Sequence, residues 1–150
     1  MISVTINLDT SRFDRMMSDF PARIAAARVR ALKAIGQAVA SRATLAFRTS
    51  SMRPSPWAPR KASKRDDGHP LLIRSGALRQ SIRWRMDGDS AVVVGSDRKY
   101  APYHQLGTKR MPARPFFPFD RSGRPVPEMD RKIKGILDRV CRDELGKLKS

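Results

Sequence analysis

The sequence predicts an α+β domain: a long N-terminal helix and a C-terminal helix packed on a small, mainly antiparallel β-sheet, with a long basic loop between them. Three observations predict it. Ile2, Val4, Ile6 and Leu8 alternate with Ser3, Thr5 and Asn7, the period of a half-buried strand. Ala25, Val29, Leu32, Gly36, Val39, Ala43 and Ala46 recur in steps of three and four, the stripe of an amphipathic helix. Ile82, Trp84 and Met86 alternate with Arg83, Arg85 and Asp87, and after Asp87-Gly88-Asp89-Ser90 the run Ala91-Val92-Val93-Val94-Gly95 resumes, a β-hairpin.

Taken in order, the first strand ends at Asp9. Asp9, Thr10 and Ser11 are helix-capping types, and Phe13, Met16, Met17 and Phe20 at helical spacing predict a short helix to about residue 19. Pro21 interrupts or restarts it. The main helix runs from Ala22 to about Phe47, where small residues at Gly36 and Ala43 allow close approach to a sheet or partner helix. Residues 48 to 70 hold Pro54, Pro56, Pro59 and Pro70, a Lys and Ser run and the turn Asp66-Asp67-Gly68, so they read as a mobile basic loop. Trp57 either docks that loop on the body or stacks on a partner; docking is the favoured use. Leu71, Leu72, Ser75, Leu78 and Ile82 suggest a short helix or turn ahead of the hairpin. Tyr100 to Phe119 is too rich in proline, glycine and aromatics for a regular element. From Pro127 to Lys149 helical spacing returns at Met129, Ile133, Ile136, Leu137, Val140 and Leu145, with Glu128 and Asp130 at the positive N-terminal end.

At 150 residues the chain is expected to be one domain, and its 31 Lys and Arg against 14 Asp and Glu give a formal net charge of +17. The excess is concentrated: residues 42 to 85 alone carry a net +9. Such a field favours polyanions or acidic protein faces as partners, and exceeds what solubility needs. The longest uncharged apolar stretch falls far short of the roughly 20 residues that cross a bilayer, so no membrane contact is expected. The opening residues do not read as a cleaved secretory signal. A single cysteine, Cys141, excludes an internal disulfide and a cysteine-based zinc site.

No cofactor or metal set is visible. His69 and His104 lack further ligands at metal spacing, and Asp66-Asp67 beside Gly68 reads as a turn before a nuclease pair. No nucleophile elbow, phosphate loop or dinucleotide fingerprint occurs, so the chain is not expected to be an enzyme. One rival survives: a small basic nucleic-acid-binding or ribonuclease-like module using Arg60, Lys61, Lys64, Arg65, Tyr103 and His104, with Tyr100 and Arg114 close by in sequence.

In order, Trp57-Ala58-Pro59-Arg60, Leu71-Leu72, Ser75-Gly76-Ala77-Leu78-Arg79-Gln80-Ser81-Ile82 and Val92-Val93-Val94-Gly95-Ser96 lead to Tyr100-Ala101-Pro102-Tyr103-His104-Gln105-Leu106-Gly107-Thr108 and Pro112-Ala113-Arg114-Pro115-Phe116-Phe117. This succession resembles the virion morphogenesis, or tail completion, family of tailed bacteriophages, whose pattern includes Tyr-Ala-x-x-His-Gln-x-Gly and Pro-x-Arg-Pro-Phe. The resemblance covers about residues 57 to 119, and the long, very basic loop departs from it. It implies a non-enzymatic structural protein of the neck or head-proximal tail end, assembled in the host cytoplasm into the virion. It further implies a ring, hexameric by analogy with tail-end proteins, that touches the tail tube protein and head-side connector proteins and lets DNA pass without sequence preference.

The residues fit that role independently. Proline and glycine around Tyr100, Tyr103, His104, Gly107, Phe116 and Phe117 hold bulky groups on a rigid segment suited to a subunit contact, or else those rings close the domain's own core. Arg114 is expected to pair with a carboxylate of its own or a neighbouring subunit. Arg60, Lys61, Lys64 and Arg65 are the expected contacts to DNA or an acidic partner.

Overall fold

The computed structural model describes residues 2–7, 21–61 and 68–146. The short helix expected before Pro21, and Lys64 and Arg65 of the basic loop, lie outside the described residues. Strand β1 (Ile2–Asn7) is followed by helix α1 (Pro21–Leu45), a single 3-10 turn (Ser50–Met52), a one-turn helix α2 (Ala77–Gln80), strands β2 (Ile82–Asp87) and β3 (Ala91–Ser96), helix α3 (Ala101–Leu106) and helix α4 (Pro127–Gly146).

The three strands form one antiparallel sheet in the order β1-β3-β2, so the hairpin's second strand sits in the middle. Register places Val4, Val94 and Trp84 side by side, and likewise Ile6, Val92 and Met86. Because side chains alternate across a strand, these rows share one face, and α1 lies across it. The approach is close. A Cβ at Gly36 would stand 2.6 Å from Val92 Cγ2 and 3.1 Å from Trp84 Cε3, so this helix position must lack a side chain for α1 to seat on β3 and β2. Leu32, Ile35, Val39 and Ala43 project from α1 into the same core.

α4 packs chiefly on α1, burying Met129 and half-burying Ile133, Ile136 and Leu137. Ion pairs secure both ends. Arg42 near the C-terminus of α1 pairs with Glu128 at the start of α4, while Arg30 and Arg23 near the N-terminus of α1 pair with Glu144 near the end of α4. The helices are therefore antiparallel. Glu144 is only 4% exposed, so its carboxylate relies on these guanidiniums to offset the loss of water around it. No helix among the described residues is long and apolar enough to cross a membrane.

Candidate functional site

The segment from Tyr100 to Phe119, expected to be irregular throughout, begins with a helix. α3 forms because Pro102 sits in its first turn, where the missing N–H has no intrahelical partner to lose. Gly107 ends it: its φ is +75°, and a Cβ there would stand 2.8 Å from Ala113 N and 3.0 Å from Met111 O. The chain then reverses at Thr108, whose Oγ1 accepts from Arg110 N and Met111 N. It returns alongside α3, with Arg114 N donating to His104 O at 2.7 Å.

Gln105 locks the returning strand. Its side chain is buried, Oε1 accepts from Phe116 N at 2.9 Å and Phe117 N at 3.0 Å, and Nε2 donates to Phe117 O at 3.4 Å. Two backbone N–H groups of the proline-rich stretch are thereby satisfied where no sheet or helix ladder serves them, while Phe117 O also accepts from Phe119 N at 2.8 Å.

Phe116 and Phe117 have no exposed surface. Of the two uses the sequence allows, the packing seen is that of the domain's own core: their ring centroids lie 4.8 Å apart as a tilted pair, and Phe116 stands 5.2 Å from Phe47, just past the end of α1. Trp57 joins the same cluster, edge-on to Phe47 at 5.7 Å, with Nε1 donating to Pro115 O at 2.7 Å and the Arg53 guanidinium 4.1 Å over its ring. The first part of the basic loop is thus strapped to the body.

Arg114 is used within the chain. Instead of meeting a carboxylate, its Nε donates to Ala58 O at 2.9 Å and its Nη2 to Pro59 O at 3.1 Å, pinning the strap from the other side. The fork geometry anticipated for a carboxylate is used on two consecutive carbonyls. Arg60 donates to His69 O at 2.8 Å, and both Arg60 and Lys61 are exposed.

His104 is half-buried, edge-on to Tyr100 at 5.9 Å, and its Nδ1 is buried without a hydrogen-bond partner. Burial, with a smaller contribution from the Arg114 guanidinium, holds its imidazole below the ordinary histidine value, so it is neutral at pH 7. Tyr103 points outward at 56% exposure. Of the ribonuclease-like set, Tyr100 and His104 meet ring to ring, Tyr103 is exposed, and Arg114 spends Nε and Nη2 on backbone carbonyls. Burial pushes the Cys141 thiol up, with Asp138 adding to it, which leaves it a poor nucleophile. Among the described residues no cluster of three or more His, Cys, Asp or Glu side chains could hold a metal ion.

Two features escaped sequence reasoning. Gln105 stands in the sequence only as part of a motif, and the one signal of its role is an amide on a short helix just ahead of a proline-rich return whose backbone needs partners. Leu106 was not singled out, yet it joins Tyr100 and Tyr103 on the outer side of α3 at 43% and 40% exposure for Leu106 and Tyr100.

A family model described as the phage virion morphogenesis family matches residues 8–138 of the chain. A curated protein, Mu-like prophage FluMu G protein 1 of Haemophilus influenzae, is 44% identical over 52 residues, which cover 35% of this chain and 32% of that protein. The chain thus matches about a third of the length of this curated relative. No solved structure matches the chain significantly.

Proposed function

The chain belongs to the phage virion morphogenesis family, and we propose that within it the protein is a structural, non-enzymatic subunit of the neck or head-proximal tail end. It completes the tail and joins it to the head-side connector as one subunit of a ring around the DNA channel. The observation that carries this reading is how the motif residues are used. Trp57, Gln105, Gly107, Arg114, Phe116 and Phe117 hold backbone to backbone and ring to ring, building a rigid frame with no convergent chemical group.

A ring follows from repeating one heterologous contact until it closes, here with six copies as the count to test. The +17 charge suits a subunit that passes DNA without sequence preference and meets acidic faces on a tail tube protein or head-side connector. The protein is then virion-associated, assembled in the host cytoplasm.

Deleting the gene and restoring it in trans tests the reading. Unjoined heads and tails in the deletion, rescued by the wild-type chain, are the expected outcome; normal particles in the deletion would sink it. Incubation with labelled RNA and DNA tests the nucleolytic rival, which predicts cleavage that disappears in His104→Ala.

A further inference from the structure

The large apolar side chains exposed among the described residues are Leu45, Tyr100, Tyr103, Leu106 and Leu145. Three of these fall at 100, 103 and 106: Tyr100 is the N-cap of α3, and its helical backbone angles carry the step of three on to Tyr103 and Leu106 along one side. Ala101 and Gln105 on the opposite side are buried. The outer side is therefore an apolar stripe on a helix whose other side is already packed.

Cations flank this stripe in the chain. Arg98 and Lys99 precede it, Lys109 and Arg110 occupy the turn after it, and Arg121 reaches it by donating from Nη2 to Leu106 O at 2.9 Å; all five are exposed. Two carboxylates lie nearby in the chain. Asp97 stands 3.5 Å from Arg98 Nε, and Asp120 is committed to its own turn, with Oδ1 accepting from Ser122 N, Ser122 Oγ and Arg124 N.

We propose that this face docks an acidic segment of a partner protein, with apolar side chains set on Tyr100, Tyr103 and Leu106 and carboxylates against the flanking arginines and lysines. Charge selects the occupant. A second copy of the chain is itself strongly cationic, and its most acidic element, α4, carries as many cations as carboxylates. Duplex DNA would satisfy the cations but would leave the apolar stripe against phosphates. An acidic segment with apolar anchors satisfies both.

The surface is also preorganised. Gln105, Gly107 and the Thr108 turn fix the backbone beneath it, and tyrosines lose little side-chain freedom on binding, so little ordering cost opposes association. The inference rests on the assembly reading above, since it names the chemistry of one partner in that assembly.

A ribosome-displayed library of random peptides, selected on the purified full-length chain, tests it. Enriched peptides should combine several Asp or Glu with Leu or an aromatic residue. A representative peptide should bind more weakly as salt rises, and about 30-fold more weakly to Tyr103→Ser with Leu106→Ser. Should that variant lose the parent's melting temperature, Lys109→Glu with Arg110→Glu reads the same surface through exposed charges alone. A selected pool without acidic bias, or a folded variant that binds the peptide as tightly as the parent does, overturns the proposal. So does parental self-association that the serine variant abolishes, which assigns the face to a second copy, or oligo(dT) binding lost in that variant, which assigns it to single-stranded nucleic acid. If the deletion strain is rescued by a chain that shows no acidic preference, the docking surface falls while the assembly role stands.

Discussion

Replacing Gln105 by alanine should be among the most damaging single substitutions that remove no aromatic ring. Oε1 is the acceptor for two backbone N–H groups, at 2.9 and 3.0 Å, in a region where Phe116 and Phe117 are wholly buried. Each buried donor left without a partner costs about 1–3 kcal/mol. The third bond, at 3.4 Å, adds little. Partial relaxation or an entering water recovers some of the loss, so about 2–5 kcal/mol is expected, or a melting temperature lower by about 10 °C for a chain of this length. Gln105→Glu keeps the acceptor but buries a charge, so its deficit should be greatest at neutral pH and shrink as acid protonates the carboxyl, which then imitates the amide. Urea unfolding gives the free energies, and amide hydrogen exchange at Phe116 and Phe117 gives the local reading. A loss in Gln105→Ala below about 1 kcal/mol, with exchange at those two amides unchanged, would refute the clamp.

Phe117→Ala should lower folding stability by about 3–5 kcal/mol, so any assembly defect in that variant should track unfolding in a thermal melt. Trp57→Phe keeps the ring contact but deletes the bond to Pro115 O, and should cost about 1 kcal/mol by urea titration. The folded chain holds His104 below its ordinary value of 6.5, so the unfolded chain takes up that proton first on acidification. Its contribution is complete above about pH 6.5 and is lost as pH falls through the lower folded value; melting temperature should decline less steeply over that window in His104→Gln.

The regular elements were legible where periodicity is long and unbroken. The hairpin from Ile82 to Ser96 announces itself through alternation around Asp87-Gly88-Asp89-Ser90, and α1 through its stripe of small and aliphatic residues. α3 was not, because six residues with a proline give less than two turns in which to show a period. The site was harder. Aromatic content marks Phe116 and Phe117 as buried somewhere, but only the position of Phe47 and Trp57 decides whether inside or between subunits. The carbonyls of Ala58 and Pro59 that receive Arg114 lie 56 and 55 residues away, and a backbone carbonyl carries no sequence label. A carboxylate partner was the natural expectation for a guanidinium, and within the chain two carbonyls take that place.

The strand order β1-β3-β2 has a bearing on symmetry. Both outer strands run antiparallel to β3, and hence parallel to each other. Among the described residues the sheet therefore presents two unlike rims that point the same way. A neighbour related by rotation about an axis along the strands would bring its β1 beside β2 of the first copy, extending the sheet by parallel pairing. A neighbour related by a two-fold axis perpendicular to the strands would instead set like rim against like rim, in antiparallel register. Were subunits to join through these rims, the direction of the new ladder would itself record whether the assembly turns onward around a circle or stops at a pair.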